Sequence, residues 1–136
     1  MARDLTNPAR PALPIGWPLM PVPDETGSMA WPDLDRSVRD TIRSLLITRP
    51  GERLLDRRLG AGIQEFVHQP NTLVTRRRMH DRIAETLVRY EPRIAIDAIE
   101  LEPEGAHGER VRITLRYRIR MTGQVAALGL SIGLEG

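Results

Sequence analysis

Two kinds of side chain in this sequence could carry chemistry: carboxylates standing apart from one another, and arginines in regular runs. Glu65 and Glu91 are such separate acids, and glycoside hydrolysis needs two of them flanking a cleft, one to protonate the leaving group and one to act as base or nucleophile. A chain with 18 acidic residues nearly always offers some pair. Glu91 is better explained as half of an ion pair with Arg93 across Pro92, and Glu65 as a surface residue. The three histidines, at 68, 80 and 107, have no partner at metal-ligand spacing, and His68 beside Gln69-Pro70 reads as a surface residue. No serine lies in a Gly-x-Ser-x-Gly setting. Gly60-Ala61-Gly62 lacks the third glycine of a dinucleotide motif and any Gly-Lys-Ser/Thr after it, so these glycines are expected to permit a special backbone conformation or a close approach. Neither a cofactor nor a metal site is expected.

All 20 basic residues are arginine. Arginine makes planar, two-pronged contacts to carboxylates that lysine cannot reproduce, which suits protein interfaces, although codon bias of a GC-rich genome explains the usage as well. From Arg110 to Met121, Val111, Ile113, Leu115, Tyr117, Ile119 and Met121 alternate with Arg110, Arg112, Thr114, Arg116, Arg118 and Arg120. That period of two predicts a strand with one core face and one arginine ladder. Arg116, Arg118 and Arg120 are therefore candidate partner-binding residues. A ladder of this kind could also follow a phosphate backbone, so a nucleic-acid-binding module is the alternative reading. Against it stand a net charge of only +2 and five aromatic residues, too few for a stacking platform. The run Arg76-Arg77-Arg78 reads as a solvated face.

The elements that must position these residues are legible in outline. At 136 residues the chain fits one domain, read as residues 31–136, preceded by a proline-rich arm, 1–30. Prolines at 8, 11, 14, 18, 21 and 23 block helix and central strand, so the arm is expected to be extended, with Trp17 as its anchor on a neighbouring subunit or on the protein's own core. There are no cysteines, hence no disulfide framework, and no apolar run approaches the roughly 20 residues that cross a bilayer. A protein made in the cytoplasm is expected.

Asp33 reads as a helix cap, and Leu34, Val38, Thr41, Ile42 and Leu45 recur at helical spacing up to the turn Arg49-Pro50-Gly51. Residues 52–56 form a short candidate strand. Asn71 or Thr72 opens a second helix whose buried stripe centres on Ile83, with Met79, Leu87 and Tyr90 beside it and Leu73 and His80 at its margin. Pro92 ends that helix, and a rigid corner, Glu91-Pro92-Arg93, leads into the strands. Along 94–102 the apolar parity changes near Ala98, which predicts a bulge. A hairpin loop is expected over 103–108. The last strand, with Leu128, Leu130, Ile132 and Leu134 against Gly129, Ser131 and Gly133, is poorly specified, and removing 124–136 is expected to spare folding.

The order Leu45-Leu46-Ile47-Thr48-Arg49-Pro50-Gly51-Glu52-Arg53, Gly60-Ala61-Gly62-Ile63-Gln64-Glu65-Phe66-Val67, Pro70-Asn71-Thr72 and Glu91-Pro92-Arg93 resembles the phage baseplate assembly protein W family over Gly16 to about Met121. That family is the small wedge component of contractile tails, with counterparts in type VI secretion and in extracellular injection systems. The resemblance implies an α+β domain in which two helices pack on a small, mainly antiparallel sheet. It implies a structural role and no enzymatic one, although the family has carried a lysozyme label that makes a peptidoglycan hydrolase a further alternative. It implies that Glu91, Pro92 and Arg93 grip a helical bundle of the larger wedge subunits, six copies surrounding the tail hub or spike, and that strands are presented to the first ring of sheath protein. The location it implies is the cytoplasm at assembly and then the baseplate, without a membrane partner. Gly129-Leu130-Ser131-Ile132-Gly133 departs from the family in being richer in glycine and poorer in aromatics.

Overall fold

The computed structural model describes residues 33–51 and 59–134, with short pieces at 22–23, 25–27 and 29–30. The candidate strand at 52–56 and Trp17 lie outside the described residues. Within the arm, β1 (Val22–Pro23) and β2 (Met29–Ala30) form a two-residue antiparallel pair.

α1 (Leu34–Ile47) starts where expected: the Asp33 carboxylate accepts from the Arg36 N–H at 2.8 Å, satisfying one of the donors that a helix N-terminus leaves open. Its Val38, Ile42, Leu45 and Leu46 are buried while Arg36, Arg39 and Arg43 face water. A 3-10 helix (Ile63–His68) follows, with Ile63 and Phe66 buried and His68 exposed. Gly60 precedes it at φ +110°, and an added Cβ there would meet the Thr48 carbonyl oxygen. The glycine thus permits both an unusual conformation and a close approach.

α2 (Leu73–Tyr90) is capped by Thr72, whose hydroxyl accepts from the Thr75 N–H at 3.2 Å. Asn71, the other candidate, does something else, since its Nδ2 donates to the Gly108 and Arg110 carbonyls and ties the helix start to the β-hairpin. Met79, Ile83 and Leu87 are buried as expected, but Leu73 is 75% exposed. The first turn of the helix carries it clear of the core.

The sheet is antiparallel in the order β3 (Ile94–Glu104), β4 (Arg110–Ile119), β5 (Val125–Gly133). The register shifts between Ile96 and Ala98, so the bulge is present and both halves of β3 keep apolar residues on one face. Two boundaries differ from expectation. β3 continues through Pro103, paired with Val111, and the loop is confined to 105–109. The Arg120 N–H bonds to the Arg93 carbonyl at 2.9 Å, which sets the even-numbered residues of β4 to bond β3 and leaves Pro103, with no N–H to offer, facing the outer edge. β4 ends at Ile119 because the Gly123 N–H returns to the Ile119 carbonyl at 2.8 Å and closes the hairpin. Met121 therefore sits at the hairpin tip, 64% exposed, instead of in the core, and Arg120 lies beyond the strand.

The core is one layer of helix on one face of the sheet: Val38, Ile42, Leu46, Met79, Ile83 and Leu87 against Val111, Ile113, Leu115, Tyr117 and Ile119. Leu128 and Leu134 of the last strand belong to it too. The stretch from Gln124 to Leu134 is thus structural as well as an edge, contrary to the expectation that removing 124–136 spares folding.

Candidate partner-binding site

Pro92 ends α2 and pins the chain at the start of β3, so Glu91 and Arg93 must point back toward the same interior. Glu91 is 2% exposed. Arg93 Nε and Nη2 donate to its Oε1 and Oε2, each at 2.7 Å, a two-pronged contact, and the Arg93 N–H adds a bond to Oε1 at 3.2 Å. Arg93 also reaches α1, Nη1 to Ser37 Oγ and Nη2 to Thr41 Oγ1, both at 3.2 Å. A buried charge is tolerated only when paired and hydrogen-bonded, and this one is both.

Arg120, in the turn just past β4, closes the corner, its N–H on the Arg93 carbonyl and its Nε on the Ile94 carbonyl at 3.0 Å. The structure therefore brings together Glu91, Pro92, Arg93 and Arg120, and leaves Pro92 exposed at their centre. Ser37 was missed by sequence reasoning, although a hydroxyl one turn before Thr41 on the buried stripe of α1 was a readable sign of a buried polar partner.

Tyr117 lies in the same layer, 1% exposed. Burial pushes its phenol above the usual value, while the neighbouring Arg39 hydrogen bond and charge act the other way. A raised phenol stabilises the fold fully below its unfolded value near 10, and that contribution is lost as pH climbs from there through the raised folded value. Melting temperature should accordingly fall on the alkaline side of pH about 10, and fall less in Tyr117→Phe. An equal alkaline loss in both proteins would sink this assignment.

Arg116 and Arg118 form a second surface. Arg112 pairs with Glu104 at 2.7 Å, Arg116 with Glu100 at 3.8 Å and Arg118 with Asp97 at 3.8 Å, so the arginine ladder of β4 faces a column of carboxylates on β3. Ser131 of β5 and Arg112 hold the Glu104 carboxyl below its usual range. With a carboxylate within 4 Å of each of these three guanidinium groups, this face presents charges of both signs and not the unbroken positive stripe that follows a phosphate backbone. Glu65, the second acid of the hydrolase alternative, is on the surface and paired with Arg82 at 2.8 Å, while Arg82 also stacks over Phe66. With Glu91 buried and held by Arg93, neither acid is a free group in an open cleft. Among the described residues no cluster of three or more potential ligands could hold a metal ion, and no helix is long and apolar enough to cross a membrane.

The sequence matches the family described as baseplate wedge protein gp25 over residues 32–124, more than half of the chain. The chain belongs to the gp25 baseplate wedge family. A comparison with curated protein sequences finds no match. Among solved structures, the chain is similar to a Geobacter sulfurreducens protein assigned as a candidate tail lysozyme, with a TM-score of 0.70 and 27% identity over 80% of this chain and 98% of the other. It shares its fold with a chain of the anti-feeding prophage baseplate, at TM-score 0.55 and 20% identity over 85% and 82% of the two chains. A chain of the post-contraction pyocin R2 baseplate gives 0.50 and 19% over 86% and 100%. Membership makes the protein a structural baseplate component, and its α+β fold, two helices on an antiparallel sheet, is the one the family resemblance implied.

Proposed function

We propose that this wedge subunit works in the baseplate of a contractile injection machine, a phage tail or tail-like particle, through two contact surfaces. The corner at Glu91-Pro92-Arg93, with Arg120 beside it, grips the helical bundle of the larger wedge subunits. The outer edge of β5 receives a strand from the first ring of sheath protein and so initiates sheath assembly. Six copies surround the hub or spike, assembled in the cytoplasm before entering the particle, and Trp17 anchors the arm on a neighbour.

The observation that carries this reading is the unequal protection of the two sheet edges. β3 has a bulge and an outward-facing Pro103. Bulges, prolines, charges and covering elements are how proteins blunt an edge against pairing. β5, Val-Ala-Ala-Leu-Gly-Leu-Ser-Ile-Gly, has no proline and no charge, and no described element pairs with its other side. The Leu134 N–H bonds to the Glu109 carbonyl at 2.7 Å and the Ile119 N–H to the Gln124 carbonyl at 2.9 Å, which fixes the even-numbered residues of β5 as those facing β4. Val125, Ala127, Gly129, Ser131 and Gly133 therefore turn their N–H and C=O groups outward, a row that an extended segment can extend.

Ala127→Pro tests the edge without touching the β4–β5 ladder, since it deletes only an outward N–H and proline is tolerated at an edge. The variant should keep the melting temperature close to that of the wild type and yield few sheathed particles on reconstitution. Full-length sheaths at normal yield would refute sheath initiation by this edge. The purified protein should also leave peptidoglycan turbidity unchanged. Clearing that is abolished by Glu65→Gln or Glu91→Gln in a folded variant would restore the hydrolase reading.

A further inference from the structure

The solvent face of the sheet carries three columns of unlike character. β3 offers Asp97, Glu100, Glu102 and Glu104, β4 offers Arg110, Arg112, Arg116 and Arg118, and β5 offers Val125, Ala127, Gly129, Ser131 and Gly133. Arg112 hydrogen-bonds its carboxylate, but Arg116 and Arg118 stand 3.8 Å from theirs, too far for a hydrogen bond, so their guanidinium donors are incompletely used by β3. On the other side of β4, Val125 sits opposite Arg118, and the rest of the β5 column on this face is small: Ala127, Gly129, Ser131 and Gly133. Past Val125, nothing bulky in that column separates Arg116, opposite Ala127, from whatever lies next to β5.

Side chains two strands apart do meet on this surface: Ser131 Oγ of β5 donates to Glu104 Oε2 of β3 at 2.5 Å, passing over β4. A strand added to β5 would stand two spacings, about 9.6 Å, from the arginine column and about 14 Å from the carboxylate column. With a Debye length of about 8 Å at physiological salt, the nearer positive column dominates the potential there. On the opposite face the added strand would continue the apolar row of Leu128, Leu130 and Ile132.

We propose that the segment taken up at the β5 edge alternates apolar with acidic residues, its carboxylates received by Arg116 and Arg118 across the small β5 column. This rests on the reading that the edge accepts a strand, and it names the chemistry of that strand. Backbone bonds supply the attachment and the arginines select the partner, since rim charges act mainly on specificity and on-rate.

The test uses the full chain and two fluorescently labelled peptides as long as β5, 9 residues, one alternating valine with glutamate and one alternating valine with lysine. By anisotropy the glutamate peptide should bind at least about tenfold more tightly at low salt, with the gap closing as salt rises. Arg116→Gln with Arg118→Gln should erase the preference at unchanged melting temperature, because both side chains are on the surface. The amides of Val125, Ala127 and Gly129 should become protected from hydrogen exchange on binding. Equal affinity for both peptides, with those amides protected, would overturn the acidic preference and leave the edge reading standing. Failure of either peptide to bind or to protect those amides would overturn the edge reading and this inference with it.

Discussion

Arg93→Ala should lower the stability of the isolated subunit by about 3 kcal/mol, because it strands a carboxylate that the fold has removed from water. The Glu91 side chain is 1% exposed and both of its oxygens accept from the Arg93 guanidinium, so the truncation removes both charge-assisted donors from a carboxylate that the intact fold keeps from water. Ser37 and Thr41 would lose a donor as well, and the tie from α1 to the start of β3 would go with it. For a domain of this size each kcal/mol corresponds to roughly 4–8 °C, so thermal melting should show a fall of about 12–24 °C. Removing both charges in Glu91→Leu/Arg93→Met should recover most of that loss, since a buried ion pair can often be replaced by apolar residues of similar volume at little cost. The double variant also separates fold from recognition. If it melts like the wild type yet fails to retain the larger wedge subunits in a pull-down, the corner binds them; if it retains them, the ion pair serves the fold alone. A melting shift of only a few degrees in Arg93→Ala would show that the corner is not the internal staple its geometry describes.

Deleting residues 124–136 should leave no folded domain. The segment contributes Leu128 and Leu134 to the core, with Leu130 and Ile132 packed against it. Full burial of a leucine is worth about 1.5–3 kcal/mol, so the first two alone represent about 3–6 kcal/mol. The deletion also strips β4 of every bond it makes to β5 and turns this central strand into an unpaired edge. A loss of that size approaches the whole stability of a small domain, typically about 5–15 kcal/mol. Circular dichroism of the truncated chain should show no cooperative unfolding transition, and a retained sharp transition near the wild-type temperature would contradict the place of β5 in the core. For this reason the edge has to be probed by a substitution that faces outward, such as Ala127→Pro, and not by truncation.

What the sequence by itself determined was whatever depends on local periodicity and chain stiffness. The stripe of Val38, Ile42 and Leu45, the stripe of Met79, Ile83 and Leu87, the alternation along 110–119 and the bulge at Ile96/Ala98 all follow from side-chain direction repeating every 3.6 or 2 residues, and all are present. Pro92 marked the helix-to-strand corner for the same local reason, the missing N–H and fixed φ of proline. Family membership too was carried by linear motifs. Tertiary structure decided everything that depends on which segments become neighbours. Pro103 reads as a loop residue until strand order makes β3 an edge and turns its missing donor outward. Met121 continues the apolar parity of β4, yet a turn closed by Gly123 lifts it and Arg120 out of the strand. Ser37 and Thr41 become partners of Arg93 only because α1 crosses the corner, 52 or more residues away in sequence. The arginine ladder looks like free positive charge until β3 places Asp97, Glu100 and Glu104 beside it. Burial, pairing and the identity of the free edge are relations between distant segments, and the repeat of a single segment does not contain them.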